Sequence, residues 1–211
     1  MPGPSIAAVA FVTAAQLVYV VLGDSTAAGV GADYDAGIAV MTTRELATRH
    51  HVTMTNLGVS GARMREVRDQ QLAPAERLRP DIVLLSAGAN DVTHLTFVRS
   101  MRADLREIVQ RLKQANPNVR IVITGSPDMG APPRIPRLLR GIAAWRTNVV
   151  NRMFEAEATR LHIVFAPIAA TTGPQFRRDR SLFAADRFHP NNRGYATWLP
   201  ALNKALATAV R

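Results

Sequence analysis

An open α/β sheet with helices on both faces is the fold class this sequence predicts. Short runs rich in Val, Ile and Leu lack strict alternation, as parallel strands covered on both faces do. Segments of helical periodicity lie between them. A chain of 211 residues is also long enough to bury a sheet between two helical layers.

The predicted strands are Leu17–Leu22, Val52–Leu57, Ile82–Ser86, Val119–Thr124 and His162–Phe165. Asp35 is placed to cap a helix running to about Arg49. Val98, Met101, Leu105, Ile108, Val109 and Leu112 share one helical face, and Asn116-Pro117-Asn118 ends that helix. Leu138, Ile142, Trp145, Val149, Met153 and Ala156 repeat the rhythm, as do Tyr195, Trp198, Leu202, Leu206 and Val210. The proline-rich stretch Pro127 to Pro136 predicts a rigid loop, lying either over the sheet edge or as a plain surface crossover. Residues 1–16 read as an apolar lead-in and residues 17–211 as a single domain.

Composition excludes several chemistries. The absence of cysteine rules out disulfides, a thiol nucleophile and a cysteine-ligated zinc site. A net charge of +10 raises nucleic acid as a partner, but the arginines are spread from Arg44 to Arg211 and interleaved with acids. No compact basic block and no aromatic-interleaved stripe is present, so the excess reads as a solvated surface. The run Ile6–Leu22 is mostly apolar, and no lysine or arginine precedes Arg44. It reads either as a lead-in to the first strand or as the remnant of an export or anchoring segment. The chain is therefore expected to be cytoplasmic, or else exported or membrane-associated through that run, the one place where membrane contact is expected.

Open α/β sheets place their sites beyond the carboxyl ends of the strands. Gly23-Asp24-Ser25-Thr26 follows the first strand. A serine there, at the positive end of a following helix, is placed to attack a carbonyl if a base lies within reach. Gly58 follows the second strand, where the lack of a side chain lets its N–H approach a ligand. Asn90 follows the third and offers an amide donor at the same edge. Asp186-Arg187-Phe188-His189-Pro190 then supplies a base and a carboxylate three residues before it. Asp24 and Asn56 are expected to brace their turns. His94 is a candidate pocket residue, whereas His50, His51 and His162 lack such a context. Ser60, Ser86, Ser100, Ser126 and Ser181 have no base nearby in the pattern.

Each block alone reads equally as turn chemistry; the set in this order does not. From Val20 to about Gly194 the chain resembles the SGNH-hydrolase superfamily, also called the GDSL esterases and lipases, whose four letters fall on Ser25, Gly58, Asn90 and His189. Thr26 departs from the leucine common in the first block, which puts the substrate fit in question but not the chemistry. The resemblance implies a flavodoxin-like three-layer α/β/α sandwich around a mostly parallel five-stranded sheet. It implies Ser25 as nucleophile, His189 as general base and acid, and Asp186 as the group orienting the imidazole. It places the oxyanion between the Ser25 and Gly58 N–H groups and the Asn90 side chain, with neither metal nor cofactor, and a small-molecule ester as substrate.

The loops near Thr93–Phe97 and Met129–Leu139 mix Leu, Phe, Met and Pro with arginine, and aromatics make up only 6% of the chain. Short- to medium-chain acyl esters are therefore expected. Carbohydrate deacetylation, thioester cleavage and lysophospholipid cleavage are the alternatives within the superfamily. A non-catalytic binding module is the distant one, and it lacks both a Gly-x-Gly-x-x-Gly turn and a phosphate loop. Arg134, Arg137 and Arg140 either meet an anionic head group or solvate the start of a helix.

Overall fold

The computed structural model describes residues 16–210. Its five strands are β1 (Gln16–Gly23), β2 (His51–Asn56), β3 (Ile82–Ser86), β4 (Arg120–Ile123) and β5 (Val164–Phe165). They form one parallel sheet in the order β2-β1-β3-β4-β5. The helices are α1 (Ser25–Ala28), α2 (Ile38–Ala47), α3 (Met64–Glu66), α4 (Leu72–Leu78), α5 (Ala89–Thr93), α6 (Val98–Ala115), α7 (Arg140–Leu161), α8 (Ile168–Arg178), α9 (Asn192–Ala196) and α10 (Leu199–Ala209).

Alternate residues of the central strands feed two separate cores. Val20, Leu22, Val83, Leu85, Ile121 and Ile123 pack with Met101, Leu105 and Ile108 of α6 and with Val150 and Phe154 of α7. Tyr19, Val21, Ile82, Leu84 and Val122 point the other way, onto Ile38, Phe176, Tyr195, Trp198, Leu202 and Leu206. Burial on both faces explains why these strands read as continuous apolar runs. The predicted three-layer sandwich is the observed one.

Several local expectations change. Asp35 does not cap α2; it lies in the 3-10 turn Tyr34–Ala36, and its carboxylate pairs with Arg44 at 2.7 Å. Gly37 occupies the cap position without a side-chain bond. His162 is not in β5, because its left-handed backbone (φ 52°) closes α7. The C-terminal periodicity holds, but α9 and α10 divide it at Thr197 and Trp198. The expected face of α7 is wrong over its first half: Thr147, Val150, Phe154 and Ala158 are buried, while Leu138, Ile142 and Trp145 stand in solvent. Two helical stretches carried no sequence expectation, α3 through α4 and α8. Pro74 and Pro174 lie within them, and proline ordinarily reads as a break. The apolar lead-in lies outside the described residues apart from Gln16, which opens β1.

β1 lies between β2 and β3, so the strand order reverses there and opens a crevice at the strands' carboxyl ends. Ser25, Gly58 and Asn90 all follow strands that meet at this point.

Candidate active site

Ser25 is the first residue of α1, whose cap is Asp24. The first-turn N–H groups of a helix, that of Ser25 among them, have no carbonyl partner within it. Asp24 Oδ1 accepts from the Thr26 N–H and the Thr26 hydroxyl, each at 2.8 Å. Thr26 Oγ1 also meets Ser86 Oγ at 2.7 Å, and its side chain lines the pocket beside Ser25. A leucine could make neither bond, so the departure at Thr26 ties α1 to β3.

His189 Nε2 lies 2.9 Å from Ser25 Oγ, and His189 Nδ1 lies 2.5 Å from Asp186 Oδ2. Asp186 Oδ1 accepts the backbone N–H groups of Phe188 and His189 at 2.9 and 3.0 Å. Partial burial pulls the Asp186 carboxyl upward, but the imidazole bond and those two N–H bonds outweigh it and hold it below the usual carboxylate range. Gly31 permits the loop to close on Ser25: its φ is +96°, and a Cβ there would come 2.5 Å from the Pro190 carbonyl and 2.8 Å from His189 Cβ.

The three expected oxyanion donors occupy the same edge. Gly58 N–H donates to Asn56 Oδ1 at 3.0 Å, and Asn56 Nδ2 donates to the Ala27 carbonyl at 2.8 Å. Asn56 thus braces the loop as expected, and the Gly58 N–H shares its hydrogen with it. A Cβ on Gly58 would stand 2.7 Å from Ala27 Cβ, so the loop could not approach α1 with a side chain there. Asn90 gives one amide hydrogen to the Ala62 carbonyl at 3.0 Å and keeps the other. His94 is not in the pocket; it is exposed, and its Nδ1 lies 2.8 Å from the Asn90 carbonyl.

Four supporting residues were not singled out in the sequence. Gln71 is buried and clasps Gly23 from both sides, accepting from its N–H and donating to its carbonyl at 2.8 Å each. Asp91 is buried and accepts the Met64 N–H at 3.0 Å, fixing the segment that carries Ala62. Asn191 ties the loop bearing His189 to the Ser181 and Phe183 carbonyls. Gly31 is the fourth. Only Asn191, one residue before α9, carried a local signal, that of a helix cap.

Beside Ser25 and His189 lies a pocket with a largely apolar lining, including Met129, Ala131, Pro132, Phe176, Phe183 and Phe188. Pro127 and Asp128 join that wall, so the proline-rich segment lies over the site. Phe176 and Phe183 pack edge to face at 5.1 Å.

With this geometry in place, comparison with known proteins is decisive. The GDSL-like lipase/acylhydrolase family matches residues 21–197. The chain belongs to that family. It is 31% identical over 196 residues to a GDSL-like esterase of Mycobacterium tuberculosis, covering 90% of this chain and 62% of that protein. The chain therefore spans less than two thirds of that relative's length. Solved structures share the GDSL fold. The structure of TesA superposes with a TM-score of 0.75 at 18% identity, covering 91% of this chain and 99% of that one. A phospholipase A1 from Streptomyces albidoflavus gives 0.70 at 20% identity, covering 90% and 100%. An acetylxylan esterase from Geobacillus stearothermophilus gives 0.73 at 16% identity, covering 92% and 95%. Among the described residues of this GDSL-family chain, no group of acidic or histidine side chains is placed to hold a metal, and no helix is long and apolar enough to cross a membrane.

Burial sets the electrostatics under Ser25. Asp24 is fully buried and its Oδ2 has no hydrogen-bond partner. Desolvation raises its carboxyl from 3.8 to about 6, against the opposing bonds from Thr26. A raised folded-state value means the stability is fully present below about pH 4 and is lost as pH climbs through about 6. The shift corresponds to about 3 kcal/mol at neutral pH. Asp24→Asn removes the ionisation and keeps the accepting oxygen, but buries an amide without an acceptor. Urea unfolding is expected to show the variant about 1–2 kcal/mol more stable than wild type at pH 8. That advantage should shrink steadily towards pH 4; a difference independent of pH would contradict this account.

Proposed function

We propose that the protein is a serine esterase that cleaves carboxylic esters of short to medium acyl chains through an acyl-enzyme. The observation carrying this reading is the chain of contacts from Asp186 through His189 to Ser25 Oγ, at the mouth of an apolar pocket.

Ser25 Oγ attacks the ester carbonyl carbon while His189 Nε2 takes its proton. Asp186 holds Nδ1–H, which leaves Nε2 free to accept and stabilises the imidazolium. The carbonyl oxygen gains the negative charge and is met by the Ser25 N–H and the free Asn90 amide hydrogen, and by the Gly58 N–H once it turns from Asn56 Oδ1. Collapse of that intermediate breaks the bond to the alkoxy oxygen, which leaves as the alcohol with the proton from His189. Water, deprotonated by His189, then attacks the acyl carbon; the bond to Ser25 Oγ breaks as His189 returns the proton to that oxygen, and the carboxylic acid is released. The lining of Met129, Ala131, Pro132 and phenylalanine, with few polar side chains, suits an acyl chain and offers the hydroxyls of a carbohydrate few partners.

Rates on p-nitrophenyl esters from acetate to palmitate are expected to peak at an intermediate chain length. A steady rise to palmitate would argue against the pocket as the acyl site. Asn90→Ala is expected to lower kcat about a hundredfold, ~3 kcal/mol, with KM little changed and the fold retained. Turnover within a few-fold of wild type would remove Asn90 from the oxyanion site.

A further inference from the structure

The 3-10 turn Arg137–Leu139 and the first turns of α7 present large apolar side chains to solvent. Leu138 is 94% exposed, Ile142 57% and Trp145 61%. Arg146 donates to the Thr96 carbonyl, which brings the loop carrying Leu95 and Phe97 alongside the same helix; Phe97 is 69% exposed. Isolated exposed apolar side chains are ordinary, but large ones repeating along one helix face mark a contact surface.

Between Asp128 and Glu155 the chain that forms this face is basic. From Met129 to Phe154 the chain carries Arg134, Arg137, Arg140, Arg146 and Arg152 and no acidic residue. None of these five is in an ion pair with a described residue, and Arg134 lies over the Phe188 ring, 5.9 Å from its centroid. On the neighbouring α6, Arg106 and Arg111 are bonded to Glu157 and Glu76, whereas Arg99 near its start is in no ion pair. Arg140 is spent on the Pro133 and Ile135 carbonyls, which fixes the turn leading from the pocket wall to Leu138.

We infer that the face formed by Leu138, Ile142 and Trp145, edged by Arg134 and Arg137, docks the protein on an anionic lipid surface. Cationic side chains around an apolar centre match phosphate head groups above acyl chains. A second copy of this face would bring arginine against arginine, which disfavours self-association. The segment that walls the pocket through Met129, Ala131 and Pro132 runs directly on to Leu138. The inference rests on the esterase reading.

The test uses the full chain with vesicles of phosphatidylcholine alone, or with about one part in three phosphatidylglycerol. The wild type is expected to co-sediment at least about tenfold more tightly with the anionic vesicles, and less tightly as salt is raised. Of the two tryptophans, Trp198 is buried, so a blue shift of emission on binding reports Trp145. Leu138→Asp and Arg137→Glu are each expected to weaken vesicle binding about tenfold. Both should leave hydrolysis of dissolved p-nitrophenyl acetate unchanged, because neither residue touches the pocket. Absence of binding, or equal binding by wild type and both variants, would overturn the inference; the second result would assign any contact to another part of the chain. A wild-type dimer that the variants convert to monomer would overturn it too. Vesicle binding lost in the variants, in a protein inactive on every ester, would uphold the docking face and discard the esterase reading.

Discussion

Ser25→Ala is expected to lower kcat on p-nitrophenyl butyrate by about a millionfold, with the fold intact. The change removes one oxygen, and that oxygen's partner is His189 Nε2 at 2.9 Å. Among the described residues no other serine is bonded to His189 Nε2. Ser86, the nearest in the network, is engaged with Thr26 and Thr124 at the end of β3. Alanine suits the first turn of a helix, so the thermal midpoint should move little. Residual turnover above the uncatalysed rate, about a thousandfold, is expected from binding and oxyanion stabilisation alone. Single-turnover kinetics of wild type should show a burst of p-nitrophenol that the variant lacks. Activity within tenfold of wild type would refute Ser25 as the nucleophile.

The second large effect is expected at Asp186, where Asp186→Asn should lower kcat about ten-thousandfold with KM nearly unchanged. The carboxylate serves two masters: Oδ2 meets His189 Nδ1, and Oδ1 accepts the Phe188 and His189 N–H groups. An amide has a single accepting oxygen. With that oxygen kept on the two backbone donors, its N–H₂ faces Nδ1 and drives the ring hydrogen to Nε2. The imidazole then offers Ser25 a donor where it needs an acceptor. Circular dichroism should be unchanged. The lowered Asp186 value also means that its own protonation does not set the acid limit of activity above about pH 4. A loss of only a few-fold would show that His189 is oriented without it.

What could be read locally differs from what could not. The central strands were legible because burial on both faces leaves an unbroken apolar run, as Ile82–Ser86 shows. The α6 face was legible because its buried residues recur at helical spacing from Met101 to Leu112. α7 carries the same spacing, yet over its first half another face packs, through Ala143, Thr147 and Val150, and Ile142 and Trp145 are left bare. Periodicity reports which side chains share a face and not whether another element covers it. The helices around Pro74 and Pro174 were hidden because local chemistry there argues for a break.

By itself the sequence determined the α/β class and the order of the blocks holding Ser25, Gly58, Asn90, Asp186 and His189. Those depend on short-range pattern: strand burial, turn residues and a carboxylate three positions before its histidine. Only the tertiary structure decided that Ser25 and His189, 164 residues apart, stand at hydrogen-bond distance. The same holds for the Gln71 clasp on Gly23, the wall made by the proline-rich segment and the bare apolar face of α7. Each of these depends on how whole layers pack on the sheet. That packing is a sum over contacts between distant segments, and no local stretch of sequence contains it.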